Sequence, residues 1–451
     1  MSLVPRKQTM QSRGYAVDPL SVWIPFTGQE ASLNQLDWMD KDDLQVIESC
    51  KFYNAVVVKD VSPAQAPFQR VEIPADYWRR YMPKMLQHVW ISLMKSMQAT
   101  KAGVDPFSVT DICQYRASGL RELTKALPGA TNDPYGLILS CVMTMMSADL
   151  YTGGPWTTHL EASRRILLLN GGFKQCFERV WPLRRILLNY TIADVFSATT
   201  CNSRLIGDTC AVMHAEYIEV LDNGDQDVFA CSRPCPRQMI QAIAKANILR
   251  ASLSNSSTTM DEELCAKIED LSDFIQQFDA TKWAISVSDF GKTLPQKAED
   301  CLDERDAIAL SSYASCYQSA TLQYFLLSCT TPLTPQDRWR VHLASQTLSQ
   351  HLRSLFSSAT LDQEGPLHTQ LWKLLSWPIL VGIYVGLGFR ISEEEVDAHL
   401  ERLHKISSVA GLVRSMDITK FVHRIKAQRA RCSAADWKWD DGFYSRCAFA
   451  L

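Results

Sequence analysis

The sequence predicts an all-α protein, and three of its properties support that fold class. Glycine and proline number only 19 each in 451 residues, too few for the dense turns of a β-sandwich or a propeller. Residues that favour helices, such as leucine, alanine, glutamine, arginine and methionine, are frequent. The alternation of strands and helices that builds a parallel sheet is missing, since residues 55–58 form the only clear β-branched run. We therefore expect a packed array of roughly a dozen or more helices.

The chain divides into a short N-terminal arm and one large helical domain. Residues 1–35 mix proline, glycine, serine and apolar side chains without a period, which predicts an extended, flexible arm. Residues 36–451 form the predicted helical domain. Asp40, Asp42 and Asp43 place negative charge where its first helix should begin, because the helix dipole favours acidic side chains there. The acidic and aromatic mixture here leaves a disordered activation segment as an alternative.

Four helices are predicted between residues 77 and 172. Residues 77–100 carry a wide apolar stripe, which indicates burial on more than one side, and residues 106–127 form the next helix. Residues 135–151 are almost wholly apolar and are expected to form a central core helix. Thr158 followed by Glu161 is the pattern of a capping box, and the helix that it starts should end at Gly171 and Gly172.

The remaining periodic segments predict further helices, separated by short polar or proline-containing loops. They are residues 181–199, 236–253, 262–278, 305–329, 335–357, 367–387, 393–407 and 417–430. The longest predicted loops are residues 252–259 and 281–297. Gly382 and Gly386 are expected to let two helices approach closely.

Charge and hydropathy exclude several classes of protein. The 46 basic and 49 acidic side chains leave a formal charge of -3, so the whole chain has no attraction to phosphate or anionic lipid. The longest apolar stretch, residues 377–389, is shorter than the roughly 18 residues that a transmembrane helix needs. The N-terminus lacks the apolar core of a signal peptide. These features predict a soluble, intracellular protein that does not enter membranes.

Fourteen cysteines raise the question of a metal site, but their spacing does not support one. A structural zinc site is typically built on cysteine pairs separated by two residues. The closest pair here is Cys231 and Cys235, and no second pair lies nearby. Cys210 and His214 would share one face of a helix, yet no further ligand stands at the spacing of a metal motif. We therefore predict no metal ligands and interpret the cysteines as reduced and mostly buried.

No motif indicates catalysis or a bound cofactor. A serine between flanking glycines at a nucleophile elbow is absent. Gly291, Lys292 and Thr293 imitate the end of a phosphate-binding loop, but Ser286 stands where the first glycine is required. The sequence thus predicts no catalytic residues, no cofactor and no enzymatic activity. An all-α enzyme or a small-molecule-binding protein of a metabolic pathway is the alternative function.

One basic cluster stands out near the C-terminus. It consists of Lys420, Arg424, Lys426, Arg429 and Arg431. We interpret it as a candidate nuclear-import signal or phosphate contact, and direct binding to DNA through it is a further hypothesis. The alternative is that these are solvated charges on the last turns of a helix that face a group of aspartates.

Residues 151–172, YTGGPWTTHLEASRRILLLNGG, carry a resemblance to a known family. Trp156, His159 and Leu160, followed by small side chains and a leucine-rich helix, resemble the signature of the fungal-specific transcription factor domain. This domain is the helical regulatory region that follows the binuclear zinc cluster in fungal regulators. From the residues alone, Trp156 and Leu160 are expected to be buried, and the His159 imidazole is expected to bond to the backbone.

Four further blocks resemble the same family in the same order along the chain. They are residues 192–200 (IADVFSATT), residues 235–250 with Cys235 and Pro236, the block of Trp377, Pro378 and Gly382, and the tryptophan-containing residues 437–443. The resemblance spans roughly residues 37–451. It implies an all-α regulatory domain that mediates regulation, dimer contacts or a response to an effector.

The resemblance implies a transcriptional regulator or co-regulator in a fungal nucleus, acting on a metabolic or secondary-metabolite gene set. It does not supply DNA binding, because the family's zinc cluster needs six closely spaced cysteines and the first cysteine here is Cys50. We therefore expect DNA to be reached only indirectly, through protein partners such as the transcription machinery or a DNA-binding regulator. A homodimer is a second expected assembly.

Overall fold

A computed structural model describes most of the chain after the predicted arm. The described residues are 40–57, 73–133, 136–152, 154–179, 184–223, 235–255, 262–293, 304–330, 332–357, 371, 374–389, 392–410, 415–430 and 437–443. These residues form α-helices, short helical turns and connections, with no β-strand among them. The predicted all-α fold class is therefore confirmed. The predicted arm, residues 1–35, lies outside the described residues.

The described residues contain seventeen α-helices, which we number in chain order. The first nine are α1 Lys41–Phe52, α2 Ala75–Tyr81, α3 Lys84–Lys101, α4 Thr110–Ala126, α5 Leu137–Thr152, α6 Trp156–Leu169, α7 Phe173–Arg179, α8 Arg184–Thr199 and α9 Asp208–Asn223. The other eight are α10 Arg237–Asn255, α11 Glu262–Gln276, α12 Ala280–Thr293, α13 Glu304–Cys329, α14 Pro335–Ser357, α15 Ser376–Phe389, α16 Glu393–Ala410 and α17 Ser415–Arg429. A 3₁₀ turn, Trp439–Gly442, follows α17.

Helix α13 lies at the centre of the C-terminal part of the fold. It packs against α10, α11, α12, α14 and α15. Its buried residues cover every face of the helix, from Ala309 near its start to Cys329 at its end. A helix that is surrounded in this way is apolar or small on all sides, so its own sequence lacks a clear amphipathic period.

The wide apolar stripe of α3 has the consequence that the sequence predicts. Met85, Leu86 and Val89 belong to the main hydrophobic core, which extends to Phe443. A second core cluster, formed with α1, α2 and α4, takes its α3 members from the other side of this helix: Trp90, Ile91, Leu93, Met94 and Met97. Helix α3 therefore joins the first helices of the chain to the main core.

The predicted start of α1 and the predicted end of α6 are confirmed, whereas the predicted start of α6 is wrong. The Asp43 amide donates to the Asp40 side chain at 2.7 Å, so α1 begins as predicted. After α6, the Gly172 amide donates to the Leu167 carbonyl at 2.9 Å, and Gly171 has a φ of 92° that favours glycine. The capping box is wrong, because α6 begins at Trp156 with Pro155 as its uncapped N-cap. Thr158 already lies within the first helical turn.

The structure also corrects several predicted boundaries. Residues 77–100 are two helices, because Pro83 lies between α2 and α3 and lacks an amide to continue the first. Residues 281–293 belong to α12, although they are predicted as a loop. The glycine and polar residues of this segment favour a loop in the sequence, but the segment is an amphipathic helix that packs on α13. Helix α7 and helix α9 have no counterpart among the predicted segments.

Helices α15 and α16 approach closely at two glycines, as predicted. A Cβ atom built on Gly382 would lie 2.8 Å from the His399 ring. A Cβ atom built on Gly386 would lie 2.6 Å from the Val396 side chain. At separations this short the facing side chain or its helix must shift, so glycine permits the close approach at both positions.

Among the described residues, no helix combines the length and the apolar composition that crossing a bilayer requires. Helix α15 is the most apolar of the helices, and its residues are buried by protein neighbours that include α13, α14, α16 and α17. Its hydrophobicity is therefore explained by the core.

We expect the substitution Gly386→Ala to lower the free energy of unfolding by about 1–2 kcal/mol, although alanine favours helices. The new methyl group would meet Val396 across the α15–α16 contact. Chemical denaturation of the purified chain measures the change. Gly129→Ala is the control, because a Cβ atom there meets nothing within 4 Å. Adding Val396→Ala to Gly386→Ala should recover part of the loss, and equal stability of all variants would refute the close contact.

Candidate functional site

A cleft of about 470 Å³ lies beside α6, the helix that carries the family-like signature. Its walls come from α6, from the end of α8, and from the segment that leads into α9. Polar and apolar side chains share the lining. The charged ones are Glu161, Arg164 and Arg165, all from α6.

Arg164 connects the cleft to a buried carboxylate. Its Nη2 and Nε atoms donate to Oδ1 of Asp194 at 2.6 and 3.0 Å, so the pair is bonded twice. Asp194 lies on α8 and is fully buried. A buried carboxylate needs such a partner, because transferring its charge out of water without compensation costs roughly several kcal/mol of free energy.

The other oxygen of Asp194 faces α9. Tyr217 donates its hydroxyl to Oδ2 at 2.7 Å, and Nε2 of His214 lies 3.7 Å from the same oxygen. The Cys210 sulfur lies 3.5 Å from Nε2 of His214 and 3.5 Å from Nη2 of Arg164. Helices α6, α8 and α9 are thus joined by one polar network around Asp194.

This network includes a set of residues with the atoms of a metal site. The ligand atoms of Asp194, Cys210 and His214 all lie within 4.8 Å of one another. The sequence pattern shows only Cys210 and His214, since Asp194 is distant along the chain. However, the Arg164 guanidinium already neutralises Asp194 and contacts Cys210. A divalent cation would have to displace this arginine, so the arrangement fits an arginine-paired polar core better than a zinc site.

Burial controls the protonation of two groups in the network. Desolvation lowers the pKa of His214 to about 4, against an opposing effect of Asp194, so the imidazole is neutral at physiological pH. Desolvation also raises the pKa of the Cys210 thiol to about 12, and Arg164 only partly opposes this. A thiol with so high a pKa is a weak nucleophile. The cleft therefore holds no activated cysteine at this position.

The three signature residues of α6 have different surroundings. Leu160 is buried and also lines the cleft, whereas Trp156 is half-buried and packs against the main core. Nε2 of His159 lies 3.1 Å from Oδ2 of Asp149, a buried carboxylate of α5 that is also paired with Arg116 of α4. The imidazole therefore faces a side-chain carboxylate and not the backbone group expected from the sequence.

A second buried network joins α10 to the C-terminal turn. Arg250 is 1% exposed, and its Nη1 atom donates to the Ala198 carbonyl at 3.1 Å and to the Tyr324 hydroxyl at 3.2 Å. Its Nη2 atom donates to the Cys201 carbonyl and to Oδ1 of Asp440. A single guanidinium thus holds the end of α8, helix α13 and the C-terminal turn together.

Asp440 is anchored from a second side. The Ser203 amide and hydroxyl donate to its two oxygens at 2.9 and 2.7 Å. Burial opposes ionisation of Asp440, but the charge of Arg250 and the hydrogen bonds from Ser203 outweigh it and hold the pKa of the carboxyl below its ordinary value. The carboxylate is therefore charged at physiological pH and able to hold Arg250.

Thr199, the last residue of α8, is where four of the family-like blocks meet. The Trp377 indole donates to its hydroxyl at 2.9 Å, and the Trp439 indole donates to its carbonyl at 2.6 Å. Arg250 donates to the same carbonyl at 3.4 Å. We call Thr199, Arg250, Trp377, Trp439 and Asp440 the Thr199 junction. Blocks that are far apart in the sequence therefore form one contiguous buried structure.

The basic cluster near the C-terminus is divided between surface and core. Arg429 is buried, and its Nε donates to the Gly388 carbonyl at 2.6 Å. Arg424 is half-buried and donates to the Gly442 carbonyl at 3.3 Å, whereas Lys426 is exposed. The side chain of Lys420 and the whole of Arg431 lie outside the described residues. A role in nuclear import or phosphate binding stays a prediction.

Sequence patterns alone could not identify the residues that hold these networks. Arg250 and Asp440 are 190 residues apart, and Arg164 and Asp194 are 30 residues apart on different helices. No spacing rule connects such pairs, because their proximity depends on the packing of whole helices. The available signal was the set of ordered blocks, which contains Asp194, Arg250, Trp377 and Asp440 without assigning them a role.

We expect Arg250→Leu to lower the free energy of unfolding by about 3–5 kcal/mol, because it leaves Asp440 without its buried partner and removes the donor to three carbonyls. Denaturation followed by the fluorescence of the twelve tryptophans, which include Trp377 and Trp439, measures the change. The matched control, Arg338→Gln, replaces an exposed arginine of α14 and should change stability little. Equal midpoints for the two variants would show that the junction does not stabilise the fold.

We expect the free energy of unfolding to decrease as the pH is lowered from 6.5, the ordinary pKa of histidine, to about 4, the pKa that burial gives His214. In this pH range His214 is protonated in the unfolded chain and neutral in the folded protein. This difference changes the free energy of unfolding by about 1.4 kcal/mol per pH unit. His399 adds a similar slope, since desolvation, reinforced by the charges of Arg402 and Arg353, lowers its pKa to about 3.

Unfolding measured at several pH values between about 5 and 6 tests this slope. His214→Gln should remove about 1.4 kcal/mol per pH unit from the wild-type slope. His399 and His351, whose pKa values desolvation also lowers, supply the slope that remains. The control is His342→Gln, which replaces an exposed histidine of α14. An unchanged slope in His214→Gln would mean that His214 titrates in the folded state as it does in water.

Comparison with known protein families supports the resemblance seen in the sequence. The model of the fungal-specific transcription factor domain matches residues 52–415, which is most of the chain. The matched range contains α6, the cleft and the part of the Thr199 junction before the C-terminal turn. Searches of curated proteins and of solved structures returned no match. The signature helix and three of the four further blocks lie inside this range, and the chain belongs to the fungal-specific transcription factor domain family.

Proposed function

We propose that the protein is a transcriptional regulator or co-regulator of a fungal nucleus that contacts DNA through a protein partner. The observation that carries this proposal is the family match over residues 52–415. The burial of the family-like blocks in one core is consistent with it, because a regulatory domain of this type needs a stable helical scaffold.

The indirect route to DNA is supported by the cysteines of these 451 residues. Their closest pair is Cys231 and Cys235, and no group of six has the close spacing of a binuclear zinc cluster. The formal charge of -3 also provides no general attraction to the phosphate backbone. A DNA-binding regulator or a component of the transcription machinery is therefore the proposed partner, and metabolic or secondary-metabolite genes are the proposed targets.

The alternative function, a metabolic enzyme, has less support from the cleft. Cys210, one of the nucleophilic side chains in its lining, has a pKa that burial raises to about 12. Arg164 is committed to Asp194, and His214 is buried behind the lining with a pKa of about 4. General acid–base chemistry near neutral pH requires groups with pKa values closer to 7, roughly. The arrangement favours binding over catalysis.

We expect the chain, fused to a heterologous DNA-binding domain and expressed in a fungal host, to change the output of a reporter gene that carries the matching site. The DNA-binding domain alone is the baseline. Arg250→Leu is the structural control, because loss of the Thr199 junction should remove the effect. A reporter output equal to the baseline would overturn the proposed regulatory role.

The chain with a fluorescent tag in place of the heterologous DNA-binding domain tests localisation in the same host. We expect nuclear accumulation in the fungal host. The combined substitution Lys420→Ala, Lys426→Ala and Arg431→Ala tests the basic cluster and leaves the buried Arg429 in place. Loss of accumulation would assign import to the cluster, whereas a wild-type chain that stays out of the nucleus would contradict a nuclear function.

A further inference from the structure

We propose that the cleft beside α6 binds a small amphipathic organic acid, a molecule with one carboxylate and an apolar body. The proposal deepens the proposed function, since such a ligand would be an effector of the regulator. Only this regulatory meaning rests on the proposed function. Binding itself is a property of the isolated chain and can be measured without any transcription.

The size of the cleft suits a small metabolite. Its volume of about 470 Å³ falls within the range of roughly 300–1,000 Å³ that is common for small-molecule sites. Gly207, which precedes α9, lies in the lining, and a Cβ atom built there would meet nothing within 4 Å. The cleft therefore has open space beside this glycine.

One part of the lining is apolar and suits a hydrocarbon body. Leu160, Ala198, Leu205 and Ile206 contribute to it. Leu205 is 43% exposed, so a ligand that covers this side chain removes apolar surface from water. Burial of apolar surface stabilises a complex by about 25 cal/mol for each Å² removed from water.

The other part of the lining suits a hydrogen-bond acceptor. Thr157, Thr158 and Thr209 line the cleft, and their hydroxyls make no hydrogen bond within the part of the protein that the structure describes. The first turns of two long helices, α6 and α9, contribute these threonines. Pro155 gives α6 no side-chain cap, and Gly207 has no side chain to cap α9. An acceptor group of a ligand therefore meets hydroxyl donors and the positive end of the α6 dipole, whereas the first turn of α9 already contains Asp208.

The charges of the lining select a single negative charge. Arg164 is paired with Asp194, and its Nη1 atom also lies 3.4 Å from Oε2 of Glu161, so Arg165, whose side chain is 72% exposed, is the more available cation for a ligand. Its Nε atom lies 3.3 Å from a carboxylate oxygen of Glu161, which also lines the cleft. Glu161 would repel a second negative charge, such as that of a phosphate dianion. One carboxylate can share Arg165 with Glu161, since a guanidinium has several donors.

Titration calorimetry of the purified full chain with octanoate tests the proposal, and octanamide serves as the neutral probe of the same shape. We expect saturable binding of octanoate, about tenfold tighter than that of octanamide, because a charged acceptor forms stronger hydrogen bonds with Arg165. Octyl phosphate should bind more weakly than octanoate. A preference for octyl phosphate would overturn the assignment to a monocarboxylate.

Two substitutions of opposite charge assign the binding to this cleft. Arg165→Gln should weaken octanoate binding about tenfold, and Glu161→Gln should strengthen it a fewfold, roughly. Neither should change the affinity for octanamide by a comparable factor. The Arg165 side chain is 72% exposed, and glutamine at position 161 keeps an acceptor for the 3.4 Å contact with Nη1 of Arg164, so both variants are expected to fold. Equal octanoate affinity in wild type and both variants would refute the proposal.

A steric variant tests the position independently of charge. Gly207→Leu fills the open space of the cleft and should abolish the binding of both probes. Gly129→Leu is the matched control, because its Cβ atom would also meet nothing within 4 Å and it lies outside the cleft lining. Absence of saturable binding to the wild-type chain at millimolar octanoate would overturn the proposal. The reporter assay with the fused chain would then still decide the regulatory function separately.

Discussion

The packing of the protein depends on one buried guanidinium, that of Arg250. It is 1% exposed and is held by the carboxylate of Asp440 and by carbonyls at the end of α8. A charge at this depth is stable only when every donor has an acceptor, so the surrounding elements can be arranged in few ways. Trp377 and Trp439 complete the arrangement by donating to Thr199. The C-terminal turn is thereby fixed against helices from the middle of the chain.

The cleft beside α6 shares part of this arrangement. Ala198 and Cys201 line the cleft, and their carbonyls accept hydrogen bonds from Arg250. On its other side, Arg164 connects the lining to Asp194 and through it to α9. Residues of the cleft lining are therefore held by two ion pairs, Arg164–Asp194 and Arg250–Asp440, which restrict the movement of its walls. Rigid walls with exposed hydroxyls at one end are typical of a preformed ligand site.

Much of the helical array could be predicted from the sequence, because helix periodicity and end signals are local. The start of α1 follows from the side chain of Asp40, which caps the helix. The end of α6 follows from Gly171, which lacks a side chain and can adopt a positive φ. The errors arose where local and tertiary effects compete. Residues 281–293 lack a strong pattern but become helical against α13, and a capping motif at Thr158 is not used because α6 already begins at Trp156.

The sequence by itself determined the fold class, the order of the main helices and the family, since helix propensity, periodicity and the ordered blocks are properties of the chain. Only the tertiary structure decided which charges are buried together. Asp194 stands alone in the sequence, yet packing places it beside Arg164, Tyr217 and His214. The basic cluster likewise looks uniform in the sequence, although Arg429 lies in the core. The physical reason is that burial and pairing depend on contacts between distant helices, and no local pattern records those contacts.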